Sequence, residues 1–187
     1  TPVKVQDLAL TAYLDRRAEG YDLQLESLAM SLDQQRFGPI RLELKQRQPA
    51  TAAAQVWQLQ ADRLELAPLA TLALSLAPAS PGVDEWLKGL KPHGQLSNIL
   101  VSLDTAKTSS DRLQFAANLA ALGISAHANV PGLENVSGSI SGDLGQGALR
   151  LNAQDFVLDL AGIFPAPWHY FKAGALLNWT LDDQAFS

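Results

Sequence analysis

The sequence predicts a mainly β fold with two short helices, in which an antiparallel sheet is curved into a groove. Three observations predict it. Apolar and polar residues alternate along most of the chain, the alternation breaks in the same way in four places, and one Leu- and Ala-rich stretch interrupts it near the middle. Alternation puts one face of a strand toward an apolar surface and the other toward water.

The 187 residues suit one domain, with two small ones as the fallback, and a protein of this size buries about 70% of the surface its unfolded chain exposes. The hydrophobic fraction is 47% against 18% charged, and the mean hydropathy is +0.01, which excludes disorder from high charge and weak hydrophobicity. The expected organisation is a single segment of a longer protein. Residues 1–66 are strand repeats, 67–91 a helical insert, and 93–187 an antiparallel strand meander.

Period-2 alternation marks strands at residues 40–45, 21–25 and 149–153, and at 171–181 with one interruption. The recurring defect lies in residues 3–10, 23–30, 57–66 and 149–158. In each, apolar residues at odd positions give way to apolar residues at even positions, across Gln6-Asp7, Glu26-Ser27, Asp62-Arg63 and Gln154-Asp155. A one-residue slip would send every later side chain to the other face, so a bulge, a bend or a crossing between surfaces is required there. A tight turn would recruit Gly or Pro, which these points lack, so a bulge in a bent strand is the reading adopted.

Residues 46–54 read as a loop containing Pro49. Residues 68–77 are nearly all Leu and Ala with Pro68 in the first turn, a helix apolar almost all round that must plug or cap an apolar surface. A second helix follows with Ser80 as N-cap, Pro81 first, Asp84 and Glu85 near its positive end and Lys88 near the other, closed by Gly89 and Pro92. Strands resume at 95–104, 111–119, 123–130, 136–142, 148–160 and 171–182, separated by turn chemistry at 131–132, 142–147 and 165–167.

Chemistry-bearing motifs are sparse. The chain has no cysteine, which removes disulfides, thiolate nucleophiles and the common zinc sites. His93 sits in a Pro-Gly turn, His127 alternates along a strand and His169 follows Pro167-Trp168, with no metal-site spacing among them. Ser139 lies in a Gly-Ser-Ile-Ser-Gly run that lacks the spacing of a nucleophile elbow, and the Gly142 to Gly147 run lacks the lysine and the strand-then-helix context of a phosphate loop. Asp155, Asp159, Asp182 and Asp183 are the carboxylates available for glycoside chemistry, but they fall on a switch point, a polar strand face and the tail. No catalytic or metal residue and no cofactor is therefore expected. The sequons at Asn135 and Asn178 matter only in a glycosylating host.

The formal net charge is −5, and the dense basic points, Arg16-Arg17 and Arg41 to Arg47, read as solvated strand ends, so nucleic acid is not an expected partner. The longest apolar stretch, residues 64–79, is broken by Glu65, Pro68 and Pro78 and is shorter than the roughly 18 residues of a membrane span. The chain begins inside what reads as a strand, as expected of a segment of a longer protein or of one whose targeting segment was removed.

From Trp57 onward the sequence resembles the middle region of YhdP-type proteins, long AsmA-like proteins of the Gram-negative envelope, in their domain of unknown function DUF3971. The residues behind the resemblance are the strand ending at residues 62–66, the Leu-rich helix, the run from Trp86 to Leu96, the run from Val130 to Ile140, and that from Asp155 to Phe164. The first 50 residues resemble the family through their strand pattern. The resemblance implies a taco-like repeating β-groove of the bridge-like lipid transfer kind, periplasmic, in a protein anchored to the inner membrane outside this segment. It implies phospholipid as the partner, carried between inner and outer membranes with its acyl chains shielded, and neighbouring repeats of the same longer chain beside it.

The candidate lipid-groove residues are Val5, Leu23, Leu25, Leu42, Leu44, Trp57, Leu59, Leu149, Leu151, Phe156 and Leu158. Exposing an acyl chain costs about 0.8 kcal/mol per CH₂, on the order of 10 kcal/mol for a whole tail, and a continuous apolar trough removes that barrier. The alternative is a closed β-sandwich that serves as an interaction or scaffold module in envelope protein assembly. Open edge strands of an isolated segment could also pair two copies into a dimer.

Overall fold

The structure is a computed structural model that describes residues 5–32, 35–48, 54–76, 81–160 and 163–181. Nine strands form one antiparallel sheet in strict chain order: β1 (Val5–Arg17), β2 (Gly20–Leu32), β3 (Gln35–Arg47), β4 (Val56–Glu65), β5 (His93–Asp104), β6 (Leu113–Ile124), β7 (Gly132–Asp143), β8 (Gln146–Asp159) and β9 (Trp168–Thr180). Each strand pairs only with its sequence neighbours, so the sheet stays open between β1 and β9 and curves like a groove. With every described strand in one layer, no second sheet is present among the described residues to close the sandwich that the sequence left as an alternative.

The two helices, α1 (Leu66–Leu76) and α2 (Pro81–Leu90), lie between β4 and β5. Ser80, the expected N-cap, and Asp182 and Asp183 lie outside the described residues. Three local expectations are corrected. Gln46 and Arg47 belong to β3 rather than to a loop, because they pair with Trp57 and Val56. Residues 111–119 and 123–130 are not two strands: β6 runs unbroken to Ile124, carried through by Ala121 at φ 48. His127 consequently lies in the turn after β6, bridged to Val130, and packs edge-on to Trp86 of α2 at 5.5 Å.

Three of the four breaks in alternation belong to a single structural feature. In β1 the register slips between Val5 and Asp7, and in β2 Glu26 is the extra residue between pairs Thr11–Ser27 and Ala12–Leu25. In β4 the pairing with β3 stops at Ala61, and the Asp62 carboxylate accepts from Arg41 N at 2.9 Å and Arg63 N at 2.7 Å. Asn98 (φ 50) lies next to it in β5, Ala121 N donates to Ser137 Oγ at 3.0 Å between β6 and β7, and Asn135 Nδ2 (φ 59) donates to Asp155 O (φ 51) at 2.9 Å between β7 and β8. The slip in β1 lies apart, beside Ser31 and Leu32, but the defects from β2 to β8 follow one another from strand to strand, so a crease crosses the sheet from β2 to β8. Side chains of Asp, Ser and Asn supply bonds that the interrupted ladder leaves unmade, which is why these residue types mark it.

The bulges keep apolar residues on one face instead of sending them to the other. In β1, Leu8, Leu10, Ala12 and Leu14 share a face by simple alternation, and they oppose Met30, Leu28, Leu25 and Leu23 of β2, where parity changes. The same holds across β4 to β6: Leu119 is in phase with Phe115, and it pairs with Leu96, which pairs with Leu64. Among the described residues the buried apolar side chains are Phe37, Ile40, Ala61, Ile99, Leu119, Val136 and Ala153, and they are strung along the crease. The core is thus a line rather than an interior layer.

Candidate functional site

On the half of the sheet that ends at the turns around residues 18–19, 105–112 and 144–145, directly opposed residues build an apolar face. One row runs Leu14, Leu23, Leu44, Leu59, Val101, Phe115, Gly142, Gly147 and Trp179, one residue from each strand. The next row toward the crease holds Ala12, Leu25, Leu42, Ala61 and Ile99, then Ala117, Ile140, Leu149 and Leu177. Opposed residues in antiparallel strands point to the same side, so these rows form a continuous floor.

The other face of the same strands is polar. Asp22, Lys45, Gln58, Ser102, Gln114 and Asp143 are opposed in series, as are Gln24, Glu43 and Gln60, with Leu100, 48% exposed, the apolar exception. Lys45 beside Glu43 at 2.9 Å, with Gln24 donating at 3.2 Å, holds the Glu43 carboxyl below its ordinary value. Asp22 is buried between Arg47 at 2.5 Å and Arg17 at 3.2 Å. Charge is confined to one side and to the strand ends.

Two open depressions follow the floor rows. The larger, about 880 Å³, is lined by Leu59, Val101, Phe115, Gly142, Gly147 and Trp179 with their polar neighbours; the smaller, about 430 Å³, by Leu25, Leu42, Ala61 and Ile99 with theirs. The glycine pair makes room for two aromatic rings that lean across it. Trp179 lies over Gly147, where a Cβ would come within 2.1 Å of its ring, and it stacks parallel to Phe115, three strands away, at 6.3 Å.

The half beyond the crease is arranged differently. Phe37 and Ile40 of β3 are each 4% exposed, which a single sheet cannot achieve without a cover, and α1 folds back against β3, β4 and β5 there. The helix expected to plug an apolar surface does so on this half. α2 continues the cap, with Leu90 O accepting from Ser125 N and His127 filling the space beside Gly89. At the base of β5, His93 Nδ1 faces Lys91 O at 3.2 Å and Nε2 faces Glu134 at 2.8 Å, two acceptors that favour the doubly protonated ring and raise its pKa above 6.5.

Of the residues singled out from sequence, Leu23, Leu25, Leu42, Leu44, Trp57, Leu59, Leu149 and Leu151 come together on the floor of the open half. Phe156 and Leu158 do not join them. They lie beyond Asp155, opposite Tyr170 and Trp168, in an aromatic group with Phe164. Val5 pairs with Leu32, and its side chain is outside the described residues. Sequence reasoning missed Ile99, Val101, Phe115, Ile140, Leu177 and Trp179 by attending to the four repeated segments; the spacing of two in Ile99, Val101 and Leu103, and in Ala175, Leu177 and Trp179, was the signal available.

Among the described residues no group of three or more His, Cys, Asp or Glu could hold a metal ion, and no helix is long and apolar enough to cross a membrane. A single open sheet with one apolar and one polar face, its alternation held in phase by a crease, defines a β-groove protein. The model of the YhdP protein family matches residues 2–187, and the chain belongs to that family, including the first 50 residues. It is 22% identical over 183 residues to the protein of Escherichia coli (strain K12) named intermembrane phospholipid transporter YhdP, a match covering 95% of this chain and 14% of that relative. The chain thus spans about a seventh of the length of the curated relative it matches. No solved structure matches it.

Proposed function

We propose that this chain is one stretch of a longer, non-catalytic, periplasmic groove that shields phospholipid acyl chains in passage between the inner and outer membranes. The observation that carries the proposal is the row from Leu14 to Trp179, in which every strand contributes one small or apolar residue to the same face. Such a floor offers a similar contact at each strand, so a chain lying on it meets no deep well that would stop its movement. The relative's printed name, intermembrane phospholipid transporter, supports the same reading.

The sheet edges fit a longer groove. In β1, Leu8, Leu10 and Leu14 are 52–69% exposed, and in β9 Leu176 and Leu177 are each 57% exposed. Preceding and following strands of the same longer chain would extend the floor at both edges. In an isolated segment the edges could instead pair two copies.

Photocrosslinkers placed at Leu42, Leu59 and Leu151 in cells test the proposal, with outward-facing Gln60 and Arg150 as controls. Phospholipid adducts from the first three and none from the controls are expected. Floor positions that label only protein would remove the transport reading for this segment.

A further inference from the structure

The floor has a polar margin. Its outermost row, two residues beyond the Leu14 row, runs Arg16, Tyr21, Gln46, Trp57, Leu103 and Leu113. At one end of that row the Arg16 guanidinium lies over the Tyr21 ring at 5.9 Å. The neighbouring cations are already engaged: Arg17 and Arg47 both bind Asp22, which is out of phase with the floor. Among the described residues Arg16 has no carboxylate partner, and it is in phase with the apolar rows. Next to Tyr21, Gln46 is 6% exposed, and its Oε1 has no hydrogen-bond partner among the described residues. A buried carboxamide oxygen left unpaired in an otherwise aromatic and aliphatic row calls for a donor.

Resting on the groove reading above, we propose that Arg16, Tyr21 and Gln46 form a recognition point for the phosphodiester headgroup of a phospholipid whose acyl chains lie on the Leu23, Leu44 and Leu59 row. The two rows are about 7 Å apart along the strand, the step from the start of an acyl chain to its phosphate. The guanidinium donates two hydrogen bonds to phosphate oxygens in its fork geometry, and stacking on Tyr21 holds its plane over the floor. A hydroxyl or ammonium on the same headgroup donates to Gln46 Oε1 once that side chain turns outward. Tyr21 and Trp57, 46% and 36% exposed, have the mixed apolar and polar character suited to the boundary between acyl chain and headgroup.

The test is native mass spectrometry of the full 187-residue chain with short-chain phosphatidylglycerol and, separately, diacylglycerol of the same acyl length, both below their aggregation limits. Arg16→Gln is expected to weaken phosphatidylglycerol binding about tenfold and leave diacylglycerol binding unchanged, with Arg16→Lys between the two. Arg17→Gln, which removes a charge out of phase with the floor, is expected to leave both unchanged. Equal phosphatidylglycerol binding by the wild type and Arg16→Gln, or an equal loss in Arg17→Gln, would overturn the headgroup proposal while leaving the groove intact. Displacement of the lipid by inorganic phosphate alone would also overturn it, marking a site for free anions. A wild type that binds neither lipid would overturn the groove reading itself.

Discussion

The two halves of the sheet on either side of the crease are written in the same alternating code but treat their apolar side chains differently. Beyond the crease, α1 covers β3 and its neighbours, and Phe37 and Ile40 are sealed at 4% exposure. On the other half, Leu23, Leu42, Leu59 and Val101 are only half-buried, and no helix of the described residues lies over them. Among the described residues the chain covers one half with its own helix and leaves the other uncovered, which is the surface the proposed function uses. The sealed apolar side chains are concentrated in the capped half and the crease, and the proposed binding falls on the open half.

The largest effect should come from the capped half. Ile40→Asp would bury a carboxylate with no partner under α1 and is expected to lower unfolding stability by about 4 kcal/mol in urea titration. Leu59→Asp on the open floor should lower it by only about 1–2 kcal/mol while eliminating copurified phospholipid. Equal destabilisation by the two would dissolve the distinction between the halves.

The crease provides the next contrast. Gly138 has φ 151, and a Cβ there would meet Arg150 O at 1.9 Å, so Gly138→Ala should cost about 3 kcal/mol. Gly174, whose Cβ would meet its nearest atom at 3.9 Å, should accept alanine within about 0.5 kcal/mol. At Asp155, with φ 51, a β-branched residue is disfavoured: Asp155→Val should lose about 1–2 kcal/mol and Asp155→Gly much less, as read from denaturant midpoints. A valine variant as stable as the wild type would mean that the left-handed residue is dispensable to the crease.

The smallest effect is the pH response of the capped half. Lys91 O and Glu134 raise the His93 pKa, so the ring's contribution is fully present below its unfolded value near 6.5 and is lost as pH rises through the higher folded value. The stability difference between wild type and His93→Gln should therefore shrink as the pH rises above the ordinary histidine value. Because His93 and Glu134 are each 44% exposed, the change should be modest, and a difference that grew with pH would reverse the assignment.

Much of this architecture was legible residue by residue. The parity changes at Glu26-Ser27, Asp62 and Asp155 located the crease in three strands, the one at Gln6-Asp7 marked a slip at the end of β1 away from it, and the Leu- and Ala-rich run located the capping helix. β6 was not legible in the same way, because Ala121 adopts φ 48 without the Gly, Asn or Asp that announces such a conformation, and the strand was read as two.

Local chemistry determined the strands, the helices and most of the bend points, because alternation, helix propensity and bulge-forming polar residues act within a few residues of each other. Tertiary structure alone decided that the bends join into one crease, that they keep the apolar residues in phase, and that the floor includes Val101, Phe115 and Trp179 but not Phe156 and Leu158. The reason is physical: the face a side chain occupies depends on the register each strand takes against its neighbours. A single slipped residue inverts that face.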